Sequence, residues 1–131
     1  MKKTKILLVE DQRNIRINMK AILELEEYLV HDSSDGFQAL AAVKKYNFDL
    51  VISDIKMNTM DGLELVSQIR QISAYMNIPI ILVTAKQKNE ILEILGNKYI
   101  YYLPKPFTYN ELIQEVENSL KQIVNSPKTN Y

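Results

Sequence analysis

Residues Phe48–Gly62 read FDLVISDIKMNTMDG. An apolar run, Leu50-Val51-Ile52, stops at Ser53-Asp54, and a polar turn through Asn58-Thr59-Met60-Asp61 leads to Gly62. A strand buried on both faces is a continuous apolar run. One that ends on a carboxylate sets that carboxylate at the rim of a sheet, where α/β folds carry their chemistry. Asp54 is therefore the residue around which the other motifs have to be placed.

Working outward, four further apolar runs flank this one. Ile6-Leu7-Leu8-Val9 ends on Glu10-Asp11, and a short run surrounds Tyr28-Leu29-Val30. Pro79–Val83 ends on Thr84-Ala85, and Ile100–Leu103 ends on Pro104-Lys105-Pro106. Each run is followed by apolar residues at helical spacing: Ile15, Met19, Ile22 and Leu23; Phe37, Leu40 and Ala41 after the Asp35-Gly36 turn; Leu65, Ile69 and Ile72; Ile91, Leu92 and Leu95; and Ile113, Val116, Leu120 and Val124. Thr108 with Glu111 three residues on has the form of a capping box before the last of these. Strand and helix alternating five times predict an α/β fold, a parallel sheet with helices on both faces. Right-handed crossovers leave few topologies for such a sheet.

The totals narrow the function. At 131 residues the chain is expected to form one domain with a real core, spanning residues 1–125, with residues 126–131 a polar tail. Sixteen basic and sixteen acidic residues cancel, which argues against direct binding of nucleic acid by charge. No cysteine is present, so disulfides, thiol catalysis and thiolate metal sites are excluded. A single histidine, His31, leaves no His-rich metal site, and it reads as a surface or half-buried strand residue. The opening MKKTKILLVED has an apolar run too short for a signal peptide, and no stretch approaches the roughly 20 apolar residues of a membrane helix. A cytoplasmic, membrane-free protein is expected.

In a parallel sheet all strand C-termini share one edge. That edge collects Glu10, Asp11, Asp54, Thr84 and Lys105. Neighbouring strands lie about 4.8 Å apart. Two like charges about 5 Å apart repel by roughly 3 kcal/mol at an effective dielectric of about 20. Three acids therefore need cations: Lys105 is one, and a divalent metal is the natural second. Hard oxygen ligands without His or Cys favour Mg²⁺ over Zn²⁺. Taken singly, each residue has a plainer reading. Glu10-Asp11 reads as the cap of the first helix, Asp54 as a turn residue, Thr84 as a strand end and Lys105-Pro106 as a loop. Tyr99, Tyr101, Tyr102 and Tyr109 read as packing residues, with no basic excess to make them a base-stacking platform. Their convergence on one rim is what favours chemistry for the acids, the threonine and the lysine.

The motifs ILLVED (Ile6–Asp11), SDIKM with MDG (Ser53–Gly62), LVTA (Leu82–Ala85) and LPKPF (Leu103–Phe107) resemble those of the receiver domains of bacterial two-component response regulators. The intervals between Asp11, Asp54, Thr84 and Lys105 also match, and the resemblance covers roughly Lys5 to Val124. It implies a flavodoxin-like, three-layer fold with a doubly wound five-stranded sheet in the order 2-1-3-4-5. It implies Asp54 as phosphoacceptor, taking a phosphoryl group from a histidine kinase or histidine phosphotransfer protein. Glu10, Asp11, Asp54 and the main-chain carbonyl of Lys56 would hold Mg²⁺. Lys105 would pair with Asp54 and then with the phosphoryl group, the Thr84 hydroxyl would bind a phosphoryl oxygen, and Tyr102 would swing with it. The output would be the surface of the fourth helix, fifth strand and last helix, read by an effector protein or a fused output domain, with a phosphorylation-dependent homodimer among the implied assemblies. Such a domain catalyses only its own phosphorylation and dephosphorylation.

Five positions stand out against the family pattern. Asn58 stands where many receivers have Pro, implying a looser turn. Lys98-Tyr99 replaces the common Gly-Ala, implying an unusual exit from the fourth helix. Lys56 and Lys86 occupy the positions that tune acyl-phosphate hydrolysis in the family, and two lysines there are expected to shield the phosphoryl group. Two other classes share the fold. A flavin carrier would want a Ser/Thr/Gly phosphate loop where Glu10-Asp11 stands. A haloacid-dehalogenase-type phosphatase would want an Asp where Lys56 stands.

Overall fold

A computed structural model describes residues 2–85 and 99–125, with the side chains of residues 122–125 outside the description. The chain runs β1 (Lys5–Val9), α1 (Arg13–Leu25), β2 (Leu29–Ser33), α2 (Gly36–Lys45), β3 (Leu50–Asp54), α3 (Gly62–Arg70), a 3₁₀ turn (Ser73–Tyr75), β4 (Ile80–Thr84), β5 (Ile100–Pro104) and a C-terminal helix, α4 (Tyr109–Asn125). The strands are all parallel and ordered β2-β1-β3-β4-β5, as the motifs implied. The helix expected around Ile91, Leu92 and Leu95, the residues Lys86 and Lys98, and the tail 126–131 lie outside the described residues.

The central strands β3 and β4 are buried at every position, because alternate side chains serve two different cores. Leu7, Val9, Val51, Ile80 and Leu82 pack with Ala39, Ala42, Val43, Leu65, Val66 and Ile69, so one face is covered by α2 and α3. Ile6, Leu8, Leu50, Ile52, Ile81 and Val83 pack with Met19, Leu23, Leu112, Ile113 and Val116, so the other is covered by α1 and α4. The result is a three-layer α/β/α sandwich.

Local signals account for the helix starts. Asp35 caps α2 by accepting from the Gln38 N–H at 2.8 Å, and Asp61 caps α3 by accepting from the Glu64 N–H at 2.8 Å. At α4 the predicted capping box forms in both directions: Thr108 N–H to Glu111 Oε1 at 2.8 Å and Glu111 N–H to Thr108 Oγ1 at 3.1 Å.

Two elements differ from their reading in sequence. In α2, Leu40 packs partly buried against the core, but Phe37 is 60% exposed, and the helix buries Gly36, Ala39, Ala42 and Val43. Small residues let this helix approach the sheet closely, which outweighs the transfer gain of one Phe. β2 runs on to Ser33 through His31 and Asp32, because pairing with β1 from Lys5↔Leu29 to Val9↔Ser33 supplies its ladder whatever the side chains. His31 is exposed on this edge strand and meets the ring of Tyr46 at a tilt (centroids 5.3 Å apart) and that of Phe48 edge-on (5.9 Å), away from the rim that carries the acids.

Candidate functional site

Strand register assembles the rim. Val9 pairs with Ser53, so the next residues, Glu10 and Asp54, emerge side by side. Asp54 pairs with Val83 and Thr84 with Pro104, which sets Thr84 and Lys105 on the two strands beyond. The Lys105 N–H extends the ladder by donating to the Thr84 carbonyl at 3.0 Å. The Lys105-Pro106 peptide is cis. Glu10, Asp54 and Thr84 are 1%, 4% and 4% exposed, so all three functional ends are nearly closed off from bulk water.

The charged groups meet as the sequence placed them. Lys105 Nζ donates to Asp54 Oδ2 at 2.8 Å. One carboxylate oxygen from each of Glu10, Asp11 and Asp54 lies within 4.8 Å of the others. Burial pushes the Glu10 carboxyl up from 4.5 to about 7. The Gln12 N–H and Lys105 pull it down, while the Asp54 charge and a hydrogen bond with Asp11 push it further up. The cluster is thus short of positive charge. An oxygen-only donor set with that deficit fits a hard divalent cation such as Mg²⁺.

The capping role that Glu10-Asp11 suggested in isolation does not occur. Gln12 is the N-cap of α1 and makes no side-chain cap, while Glu10 Oε2 accepts from the Gln12 N–H at 3.0 Å. Asn58 brings a further contact to the cluster. Its N–H, which a proline would lack, points to Asp11 Oδ2 at 3.4 Å, so the substitution ties the turn to the acid cluster. Thr59 carries the left-handed backbone of that turn, at φ 62°. The MDG motif then closes on Asp54. A Cβ at Gly62 would collide with the Asp54 carbonyl oxygen and sit 2.8 Å from Ile55 Cα, and the Gly62 N–H donates to the Ile55 carbonyl at 2.7 Å. Only glycine permits this approach, which fixes the backbone of the central carboxylate.

Tyr102 lies beside Leu82 in register, on the same sheet face as Thr84 two residues later, and packs half-buried against the α2/α3 core. Burial pushes its phenol up. Lys56 is exposed at the rim.

Comparison with known proteins now decides the family. The pattern of the response regulator receiver domain matches residues 6–117. The chain belongs to the response regulator receiver domain family. Among relatives of this receiver, the transcriptional regulatory protein ResD of Bacillus subtilis is 35% identical over 91% of the chain and 49% of its own length. The chemotaxis protein CheY-3 of Vibrio cholerae is 32% identical over 93% of the chain and 95% of its own length. The chain thus spans about half the length of several curated relatives it matches, and nearly the whole of the chemotaxis protein. A crystal structure of the receiver domain of a Pseudomonas aeruginosa sensor histidine kinase superposes with a TM-score of 0.81 at 28% identity, covering 92% of this receiver and 99% of that chain. That structure carries a magnesium ion coordinated in its active-site cleft.

One contact at this rim has no counterpart in the motifs. Arg16, in the first turn of α1, reaches back to the Glu10 carbonyl at 2.9 Å. A cation at a helix N-terminus opposes the helix dipole, and that misplacement was the available signal.

Proposed function

We propose that this receiver accepts a phosphoryl group on Asp54 from a phosphohistidine of a histidine kinase or histidine phosphotransfer protein and passes the signal on through a change of surface. The observation that carries the reading is the 2.8 Å Lys105–Asp54 ion pair set inside the Glu10/Asp11/Asp54 oxygen cluster. A carboxylate oxygen of Asp54 forms the new O–P bond while the P–N bond to the donor imidazole breaks, the electron pair leaving with the imidazole nitrogen. Glu10, Asp11, Asp54 and the Lys56 carbonyl would hold Mg²⁺, which would supply charge neutralisation on the phosphoryl oxygens.

Lys105 balances Asp54 before the reaction and a phosphoryl oxygen after it. The product carries about two negative charges, new acceptors for the Lys105 ammonium and the Thr84 hydroxyl. Movement of Thr84 toward them vacates space beside Leu82 that Tyr102 fills, a two-state packing change. β5 and α4 carry the described part of the output surface, addressed to an effector protein, a fused output domain or a second phosphorylated copy. Lys56 and Lys86 tune the lifetime of the phosphoform. Residues 1–125 act as the receiver unit, in the cytoplasm. Among the described residues no helix is long and apolar enough to cross a membrane.

Acetyl phosphate or phosphoramidate with Mg²⁺ is expected to add one phosphate to the wild-type protein and none to Asp54→Ala, read by intact mass. Phosphate retained by the variant, or absent from the wild type, would overturn the reading.

A further inference from the structure

Two of the three clustered carboxylates sit on one short turn, Glu10–Gln12, between β1 and α1. That turn is fastened from three sides. The Glu10 N–H donates to the Ser33 carbonyl at 3.1 Å, the Gln12 N–H donates to Glu10 Oε2 at 3.0 Å, and Arg16 Nη1 donates to the Glu10 carbonyl at 2.9 Å. The first two are contacts of the turn with the adjacent strand end and with itself. The third comes from a long side chain that needs an anchor, and it has one. Arg16 Nε donates to Asp32 Oδ2 at 3.2 Å, and Lys20 Nζ holds the other oxygen, Asp32 Oδ1, at 3.1 Å. The Arg16 side chain is only 15% exposed, so this fork is shielded more than an ordinary surface pair. Burial pushes the Asp32 carboxyl up, but Lys20 and Arg16 outweigh it and leave the group below its ordinary value.

The groups that set the Glu10 carboxyl are burial, the Gln12 N–H, Asp54, Lys105 and Asp11. Arg16 is not among them, so its influence on the cluster runs through the Glu10 main chain. We propose that Arg16, braced by Asp32, is a positioning residue of the cation site, holding the Glu10–Gln12 turn so that Glu10 and Asp11 meet Mg²⁺ already placed. The proposal rests on the reading of this cluster as a Mg²⁺ site. Like charges drive Glu10 and Asp11 away from Asp54 when no cation is bound, so a looser turn must be ordered by the metal at the expense of affinity. The fork geometry of arginine spans a carbonyl and a carboxylate at once, which a single ammonium does not.

The test uses the full chain and calorimetric titration with MgCl₂, beside urea unfolding in EDTA. Arg16→Met is expected to weaken Mg²⁺ binding roughly tenfold, the scale set by residues that orient metal ligands. Lys20→Met breaks the neighbouring bridge to the same Asp32 without touching Glu10. It is expected to lower stability comparably and to leave Mg²⁺ affinity within about twofold. Arg16→Lys is expected to fall between wild type and Arg16→Met, and it carries the test if Arg16→Met does not fold. Wild-type affinity in the Arg16 variants, or equal losses in Arg16→Met and Lys20→Met, would overturn the positioning role while leaving the Mg²⁺ site standing. A wild-type protein that takes up no Mg²⁺ would remove both.

Discussion

At the N-terminal rim of the sheet, Arg70 at the end of α3 donates to the carbonyls of Ile78 at 2.7 Å, Tyr75 at 3.1 Å and Tyr99 at 3.4 Å. Beside it the Tyr75 hydroxyl donates to the Tyr46 carbonyl at 2.7 Å and accepts from the Phe48 N–H at 3.2 Å. At the C-terminal rim, three carboxylates converge within 4.8 Å and Lys105 meets one of them. Both rims bury polar groups, yet they are composed differently. The first gathers neutral carbonyls round one cation and so completes its hydrogen bonding within the chain. The second concentrates like charge beyond what Lys105 balances and depends on charge brought from outside. Buried polar groups stabilise only when satisfied, so the first rim can be a joint and the second a receptor.

The largest expected effect breaks the joint. Arg70→Met keeps the apolar stem but removes the charged donor from the Tyr75 and Ile78 carbonyls before β4 and from the Tyr99 carbonyl before β5. At about 1.5–3 kcal/mol for a hydrogen bond to a charged group, and with backbone donors remaining to the Tyr75 and Tyr99 carbonyls, a loss of about 4 kcal/mol is expected in urea unfolding. Mg²⁺ affinity of the folded fraction is expected to stay at the wild-type value, because the two rims share no residue. A stability loss below about 1 kcal/mol would show that water replaces the guanidinium and that this rim is no joint.

The receptor rim is expected to behave in the opposite sense, gaining stability when a charge is removed. Glu10 has its folded value raised from 4.5 to about 7. Across that window the folded chain keeps a proton that the unfolded chain has lost. Metal-free stability therefore falls as pH rises from 4.5 to about 7 and levels off above, by on the order of 3 kcal/mol. Glu10→Gln removes this slope and is expected to be more stable than wild type in EDTA at about pH 8, the difference vanishing toward pH 4.5. Parallel stability curves for the two proteins would mean that the cluster carries no excess charge.

The same contrast explains what could be read from residues alone. The strands were legible because burial on both faces makes an apolar run of Leu50-Val51-Ile52, and the rim was legible because parallel topology alone brings Asp54, Thr84 and Lys105 to one edge. In α2, Gly36, Ala39 and Ala42 gain by fit and not by hydrophobicity, so its buried stripe leaves little apolar signal while the apolar Phe37 stays exposed. The contact between Arg16 and Asp32 was invisible because they lie on different elements, and only the pairing of Leu8 with Asp32 brings the acid within reach of α1. Arg70 and Tyr75 were missed for the same reason, since a side chain that binds carbonyls leaves no complementary residue type to notice.

The smallest effect sharpens the picture of the joint. Tyr99 stands at φ 58°, a left-handed backbone that costs a residue with a Cβ roughly 1 kcal/mol. Its carbonyl accepts from the Ile80 N–H at 3.0 Å and from Arg70, so the carbonyl that opens β5 is held by two elements at once. Tyr99→Ala and Tyr99→Gly both lose the half-buried ring, but only glycine escapes the backbone cost. Tyr99→Gly is therefore expected to be more stable than Tyr99→Ala by about 1 kcal/mol in urea unfolding, the reverse of their order at an unstrained position. Alanine equal to glycine would mean that the backbone relaxes out of the left-handed region, that Arg70 releases the Tyr99 carbonyl, and that the N-terminal rim yields as readily as a loop.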